Sequence, residues 1–527
     1  MSLIGTLARL EAVREGRATP LATVRHRHLA ERPLVLVPLT TAGEAGAPLG
    51  AMVGTDRDAP RLLIVPQPRD RDLRSAFLAE LADALLPHIE EHLDATEPGS
   101  ELCADAPQLL VPGAAAVEYV RLLGRSMRFR RTAEQDPDTP HPAPPRVPLL
   151  GRWLTHYGER ARMPGSSLLL AMTQVLGRHW ATGQSVLEDQ HLGALLAWID
   201  PPEGTTGAEA ALRAETERGP DGLLRQPPAG PATDPVFDNK LLGPAVARYD
   251  TARSRLLEAA PHATAAAREQ LAAAEREIRD LLAGQLRPTW DAVWHGLDLL
   301  RALPEGAHVA ERWKRDRWSY TAHRDRLRAG EPPQPRRDDA VTAARKLASR
   351  ETAQAQLYAQ EALDDALVMA ERRLAGEAFA GEVSAVVMLH TDAKVPRPRP
   401  LVTLRTGDTP HLADGARVYR VLPDGSGRSQ PAEFVAYDEP TGEITVRLTG
   451  GMGRGKVPEK GSVPVPGDTV CWTLFEHAPR GGPELPDPEE TPWTHGGPPD
   501  GPAGALASGP AGGEAGGPDP VTPEDYL

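Results

Sequence analysis

The rhythm of apolar and polar positions changes several times along this chain. Two short aliphatic runs, Leu34–Leu39 (LVLVPL) and Arg61–Val65 (RLLIV), are bounded by Pro or Gly, which predicts strands. Gly50–Val53 is a further strand candidate between them. Leu73, Phe77, Leu81 and Leu85 then recur every fourth residue, the spacing of one helical face. An apolar run at Gln108–Val111 and a helix through Val117, Val120 and Leu123 complete a small α/β domain over 1–130. The Pro-rich stretch DPDTPHPAPPRVP marks 131–148 as a linker. Residues 149–200 read as a helical domain, with Ser185 and Glu188 in the S-x-x-E spacing of a capping box. Gly, Pro, Glu and Thr dominate 201–238, which reads as a flexible loop.

Residues 239–380 read as helix with few breaks. Leu271, Ile278, Leu282 and Gln285 follow heptad spacing, and Trp290, Val293, Trp294, Leu297 and Leu300 keep one face apolar. A last helix from Asp339 to Ala375 would be roughly 55 Å long at 1.5 Å per residue. Helices of that length predict an antiparallel, coiled-coil-like stalk. The pattern then changes to strict alternation in six short segments between 383 and 475, with Asp438–Gly442 (DEPTG) as a hairpin turn. That predicts a small SH3- or OB-like β-barrel over 381–479. Beyond it, 480–527 carries only Gly, Pro, Ala and acid, the composition of a disordered tail. The expected fold class is therefore α+β and multidomain.

Composition sharpens this picture in three places. Of 59 basic residues only six are Lys, so Arg is the default cation of a GC-rich bacterial genome and not a chemical choice. The net charge is −14, yet nine acids against one Arg in 480–527 supply −8 of it. A basic face elsewhere thus stays compatible with an acidic whole. The two cysteines, Cys103 and Cys471, lie far apart, which predicts a reducing, cytoplasmic setting and excludes a disulfide framework. No segment has the run of about 18–20 apolar residues that a membrane span needs, so no membrane partner is expected.

Three motifs bear on chemistry. Gly450–Lys456 satisfies G-x-x-x-x-G-K, but Val457 stands where a magnesium-binding hydroxyl belongs, and Pro458 forbids the helix that would face phosphates. It reads as a hairpin tip whose Arg454 and Lys456 can touch a phosphate backbone. His88, Glu91 and His92 satisfy H-x-x-E-H, which resembles the inverted zinc-peptidase motif over five residues; a solvated helix end is the default reading. Between 301 and 350 there are 13 basic and 7 acidic residues. The centre of that stretch, Arg312, Trp313, Lys314, Arg315, Arg317, Trp318, Tyr320 and Arg324, interleaves cations with rings as nucleic-acid surfaces do. Packing of Trp313 and Trp318 against other helices is the competing reading. No catalytic residue, metal or cofactor is expected.

A helical stalk followed by a small barrel resembles, in architecture alone, the accessory elements of superfamily-1 helicases, whose ATPase motifs are missing here. The expectation is a non-enzymatic scaffold or adaptor, accessory to a helicase-type ATPase. The stalk would bind a protein partner, and the barrel and the Arg/Trp segment would contact nucleic acid or an acidic partner. The alternatives are a metal-dependent hydrolase built on His88, Glu91 and His92, and a self-associating coiled-coil protein.

Overall fold

In the computed structural model the described residues are 3–44, 46–423, 425 and 427–479. They divide into two compact units, an α/β unit of 8–21 with 25–347 and a barrel unit of 348–479 with 3–7 and 22–24. The tail expected at 480–527 lies outside the described residues.

The α/β unit is built on a five-stranded mixed sheet. Its strands are β1 (Leu34–Thr40), β2 (Pro48–Gly54), β3 (Arg61–Ile64), β4 (Leu109–Val111) and β5 (Leu169–Ala171), in the order β3-β2-β1-β4-β5. β1, β2 and β3 form an antiparallel meander, while β4 and β5 run parallel to β1. Central β1 is buried at all seven positions, which is why it reads as a continuous apolar run and not an alternation. Leu34 and Leu36 point to one core; Val35, Val37 and Leu39 point to the other.

Helices cover both faces. α1 (Arg71–Ile89), α2 (Ala114–Met127) and α3 (Val147–Ala161) bury Phe77, Leu81, Val120, Trp153 and Leu154 in the first core. The second core is closed by α4 (Met172–His179), α5 (Leu192–Ile199) and a helical hairpin, α6 (Gly243–Glu258) and α7 (Thr264–Arg301). The last helix, α8 (Val309–Arg328), sends Trp313 and Tyr320 into the first core.

This three-layer sandwich corrects several expectations. α7 has the length of a stalk, 38 residues, but Ile278, Leu282, Trp290, Val293 and Leu297 are fully buried in the core on the sheet. Their spacing is the same whether a helix meets another helix or a sheet, so periodicity cannot tell the two apart. The boundary at 130 also fails, because β5 lies within 149–200 and belongs to the same sheet. The 131–148 segment is a folded loop, pinned by Ala143 N–H donating to the Arg131 carbonyl at 2.8 Å. Within 201–238, Gly207–Thr216 is a helix with a complete Thr206–Glu209 capping box.

Two helices, α9 (Ala340–Asp364), which runs across the boundary at 347/348, and α10 (Ala366–Leu374), replace the single helix expected over 339–375. The break is Asp365, which leaves helical φ/ψ to cap α10 by accepting from Leu367 N–H. Six strands follow: β6 (Ala378–Val387), β7 (Leu401–Thr406), β8 (Arg417–Val421), β9 (Ser429–Asp438), β10 (Glu443–Leu448) and β11 (Thr469–Thr473). They close in the order β8-β9-β10-β7-β6-β11 around Phe379, Val402, Leu404, Val418, Ile444, Val446 and Trp472. The alternation seen in the sequence is this inward and outward pointing.

Candidate nucleic-acid interface

The Arg/Trp segment forms α8, and its polar groups are mostly turned inward. Arg312, Asp316 and Arg324 share the buried stripe with Trp313 and Tyr320. Arg312 donates to the His26 carbonyl at 3.1 Å, and Arg324 to the Leu93 and Glu101 carbonyls, each at 3.1 Å. Trp313 stacks on His28 with ring centroids 4.1 Å apart and donates its indole N–H to Asp105 at 2.8 Å. Tyr320 donates to the Ile89 carbonyl at 2.6 Å. Arg317 pairs with Glu97 at 2.6 Å, and Arg315 faces Glu311 at 3.8 Å. Only Lys314 and Trp318 stand clear at the surface. The interleaving of cations and rings is thus a packing pattern. The guanidiniums satisfy carbonyls at the ends of neighbouring elements, which a lysine would do less well.

Arg454 and Lys456 sit differently. They lie on the β10–β11 connection, 449–468, at the barrel end that also carries the β6–β7 connection, 388–400. Register fixes this: Arg447 of β10 pairs with Leu401 of β7, and Leu448 N–H donates to the Pro400 carbonyl. The two connections touch where His390 Nε2 lies 3.2 Å from the Lys456 carbonyl. Together they present Lys394, Arg397, Arg399, Arg454, Lys456 and Lys460 against Asp392, Glu459 and Asp468. Among the described residues none of these six cations forms an ion pair, whereas Arg405 and Arg447 on the barrel wall pair with Glu443 and Glu433.

The Gly-rich connection is held in place from inside. Arg420, 5% exposed, donates to Gln430 Oε1 at 2.7 Å and to the Ser462 carbonyl at 2.9 Å. Gln430 Nε2 reaches the Gly450 and Ser462 carbonyls at 3.2 and 2.8 Å. Burial lowers the Arg420 pKa and Asp468 opposes that, yet a guanidinium stays cationic inside a protein. A buried positive charge therefore lies beneath the exposed ones. Sequence reading passed over Arg420, although it shares the inward parity of Val418 two residues earlier. Lys394, Arg397 and Arg399 were also missed, hidden among prolines that look like plain linker.

The H-x-x-E-H residues do not converge. α1 runs through Pro87 and ends at Ile89, so His92 lies beyond the helix. His88 Nδ1 is 3.2 Å from Glu91 Oε2, and burial pulls the His88 pKa down despite that carboxylate. Among the described residues no three His, Cys, Asp or Glu side chains come together as a metal site. No described helix is long and apolar enough to cross a membrane. Neither a protein-family model, nor a curated protein, nor a solved structure matches this chain.

Proposed function

We propose that this chain is a non-enzymatic adaptor whose barrel docks on the phosphate backbone of duplex nucleic acid. The observation that carries the reading is the set of six unpaired cations on two touching connections at one barrel end, rooted on buried Arg420. Neither connection contains Phe, Tyr or Trp, so stacking on single-stranded bases is not supplied. Backbone contact by Lys and Arg carries affinity without sequence readout. The α8 segment takes no part in this reading, because its cations are already engaged.

Anisotropy of a labelled duplex titrated with the full chain between about 50 and 200 mM salt tests it. With four to six phosphates engaged, log K should fall against log salt with a slope of about −4 to −5. The double variant Arg454→Gln/Lys456→Gln should flatten the slope by about 2, while Lys314→Gln should leave it unchanged. No binding at the lowest salt refutes the nucleic-acid reading, and an acidic protein partner then takes its place.

A further inference from the structure

The α/β unit contains a second basic feature, unrelated to α8 and to the barrel. A small concavity lies between the first turns of α1 and the Tyr119–Ser126 side of α2. Arg71, Arg74 and Arg130 line it, with Ser75, Ser126 and Tyr119, over an apolar floor of Leu78, Leu122 and Leu123. Arg130 donates from Nε to the Ser126 carbonyl at 3.1 Å, and the like charges of Arg74 and Arg71 bear on it. Among the described residues the Arg71 and Arg74 guanidiniums make no ion pair or hydrogen bond, and the Ser75 hydroxyl makes no hydrogen bond. Two acids of these helices are engaged elsewhere: Asp70 caps α1 and pairs with Arg253, and Glu118 pairs with Arg121.

Tyr119 is the independent sign of a ligand. Its side chain is 4% exposed, yet its hydroxyl has no hydrogen-bond partner. Buried hydroxyls almost always find one, because leaving a donor unmet costs its full desolvation. A tyrosine wanted only for packing would serve as well as phenylalanine. Here Tyr119 lines a pocket together with three arginines, and its unmet hydroxyl is a donor that an anion there could take.

We propose that this pocket binds the phosphate group of a small phosphate monoester, held by Arg71, Arg74, Arg130 and the Tyr119 hydroxyl. Three converging cations exceed what a single carboxylate neutralises, and guanidinium forks match tetrahedral phosphate oxygens. The Leu78–Leu122–Leu123 floor would take the organic part of the ester. Without a ligand the like charges repel, so the site is assembled against local stability, as binding sites commonly are.

Calorimetric titration of the full chain in a phosphate-free buffer of low ionic strength tests this. The probes are inorganic phosphate and a nucleoside 5′-monophosphate, with chloride at matched ionic strength as control. Saturable uptake of either probe is expected. Arg74→Gln should weaken it at least about tenfold and Tyr119→Phe about three- to tenfold, as loss of a charged and a neutral donor to an anion requires. Arg74→Lys should restore part of the affinity. Thermal unfolding separates misfolding from lost binding. Arg74→Gln should melt at or above the wild-type temperature without ligand and lose the upward shift that phosphate gives the wild type. Arg454→Gln/Lys456→Gln should bind phosphate normally, so failure of the barrel reading leaves this one standing. No saturable uptake by folded protein up to tens of millimolar, or uptake indifferent to Arg74→Gln and Tyr119→Phe, overturns the proposal.

Discussion

Acidification should destabilise the α/β unit through two stacked histidines that have no route to a charge. His156 on α3 and His323 on α8 lie face to face, ring centroids 4.4 Å apart and planes 11° from parallel, with Trp153 edge-on to His323 at 4.6 Å. Both are buried, and His156 Nε2 and both ring nitrogens of His323 have no hydrogen-bond partner. Burial is the main force against protonation; Arg326 and Arg152 add to it at His323, and Arg160 and Arg326 at His156. The His323 pKa is pushed down to about 3, and His156 shifts in the same direction. A histidine depressed in the folded state binds its proton only on unfolding. Stability is therefore full above about pH 6.5 and falls as the unfolded chain charges. Between pH 7.5 and 5.0 the unfolded His323 gains nearly a full proton and the folded one gains almost none, a loss of about 2 kcal/mol. His156 adds to it with the same sign. The assay is urea unfolding of wild type and His323→Leu at both pH values, followed by a probe of the α/β unit. The variant should lose about 2 kcal/mol less than the wild type on acidification, whatever its stability at pH 7.5. Equal losses would show that His323 is protonated in the native state or unburied in solution, and would refute the reasoning.

Two further outcomes follow from buried carboxylates. Asp316, fully buried, accepts from Arg160 at 2.8 Å, Ser166 Oγ at 2.7 Å and Ser167 N–H at 2.6 Å. Asp316→Ala should therefore cost about 3–5 kcal/mol in denaturant unfolding by leaving Arg160 without its partner. Asp365, 1% exposed, accepts from Thr23 N–H at 2.6 Å and Thr23 Oγ1 at 3.1 Å while capping α10. Asp365→Ala should destabilise the barrel unit by about 2–4 kcal/mol and raise amide exchange at Thr23 and Val24 before the barrel strands.

How far the fold could be read in advance depended on element length and on the sequence distance of partners. The barrel strands were legible because β9 and β10 are long enough to show alternation and flank a recognisable DEPTG turn. β4 and β5 have three residues each, too few for any period, so the sheet's extension across them was invisible. The helix at Gly207–Thr216 was legible and passed over: Thr206 and Glu209 have, as T-x-x-E, the same spacing as the S-x-x-E at Ser185. At Ser185 the reciprocal bonds do form, to Glu188 at 2.6 and 3.3 Å, but they open a single 3₁₀ turn. The helix break at Asp365 could not be read locally, because the groups that hold its carboxylate lie at Thr23 and Val24, more than 340 residues earlier in the chain.

The basic residues show most sharply what sequence density leaves undecided. Arginine is common throughout this chain, and its side chains meet three different fates. In α8 the surrounding carbonyls of Leu93, Glu101, Cys103 and Ala104 absorb the guanidiniums, so the densest cationic stretch has little charge left to offer a partner. On the barrel connections the cations lie among prolines and glycines and, among the described residues, form no ion pair; their attraction should be long-ranged and fade with salt. Around Tyr119 three arginines are brought together from residues 71–130 by packing alone, with no local excess of charge to announce them. What separates the three is the supply of acceptors within reach of each guanidinium. Acceptors belong to tertiary structure, so local charge counting picked the stretch with the least charge to spare.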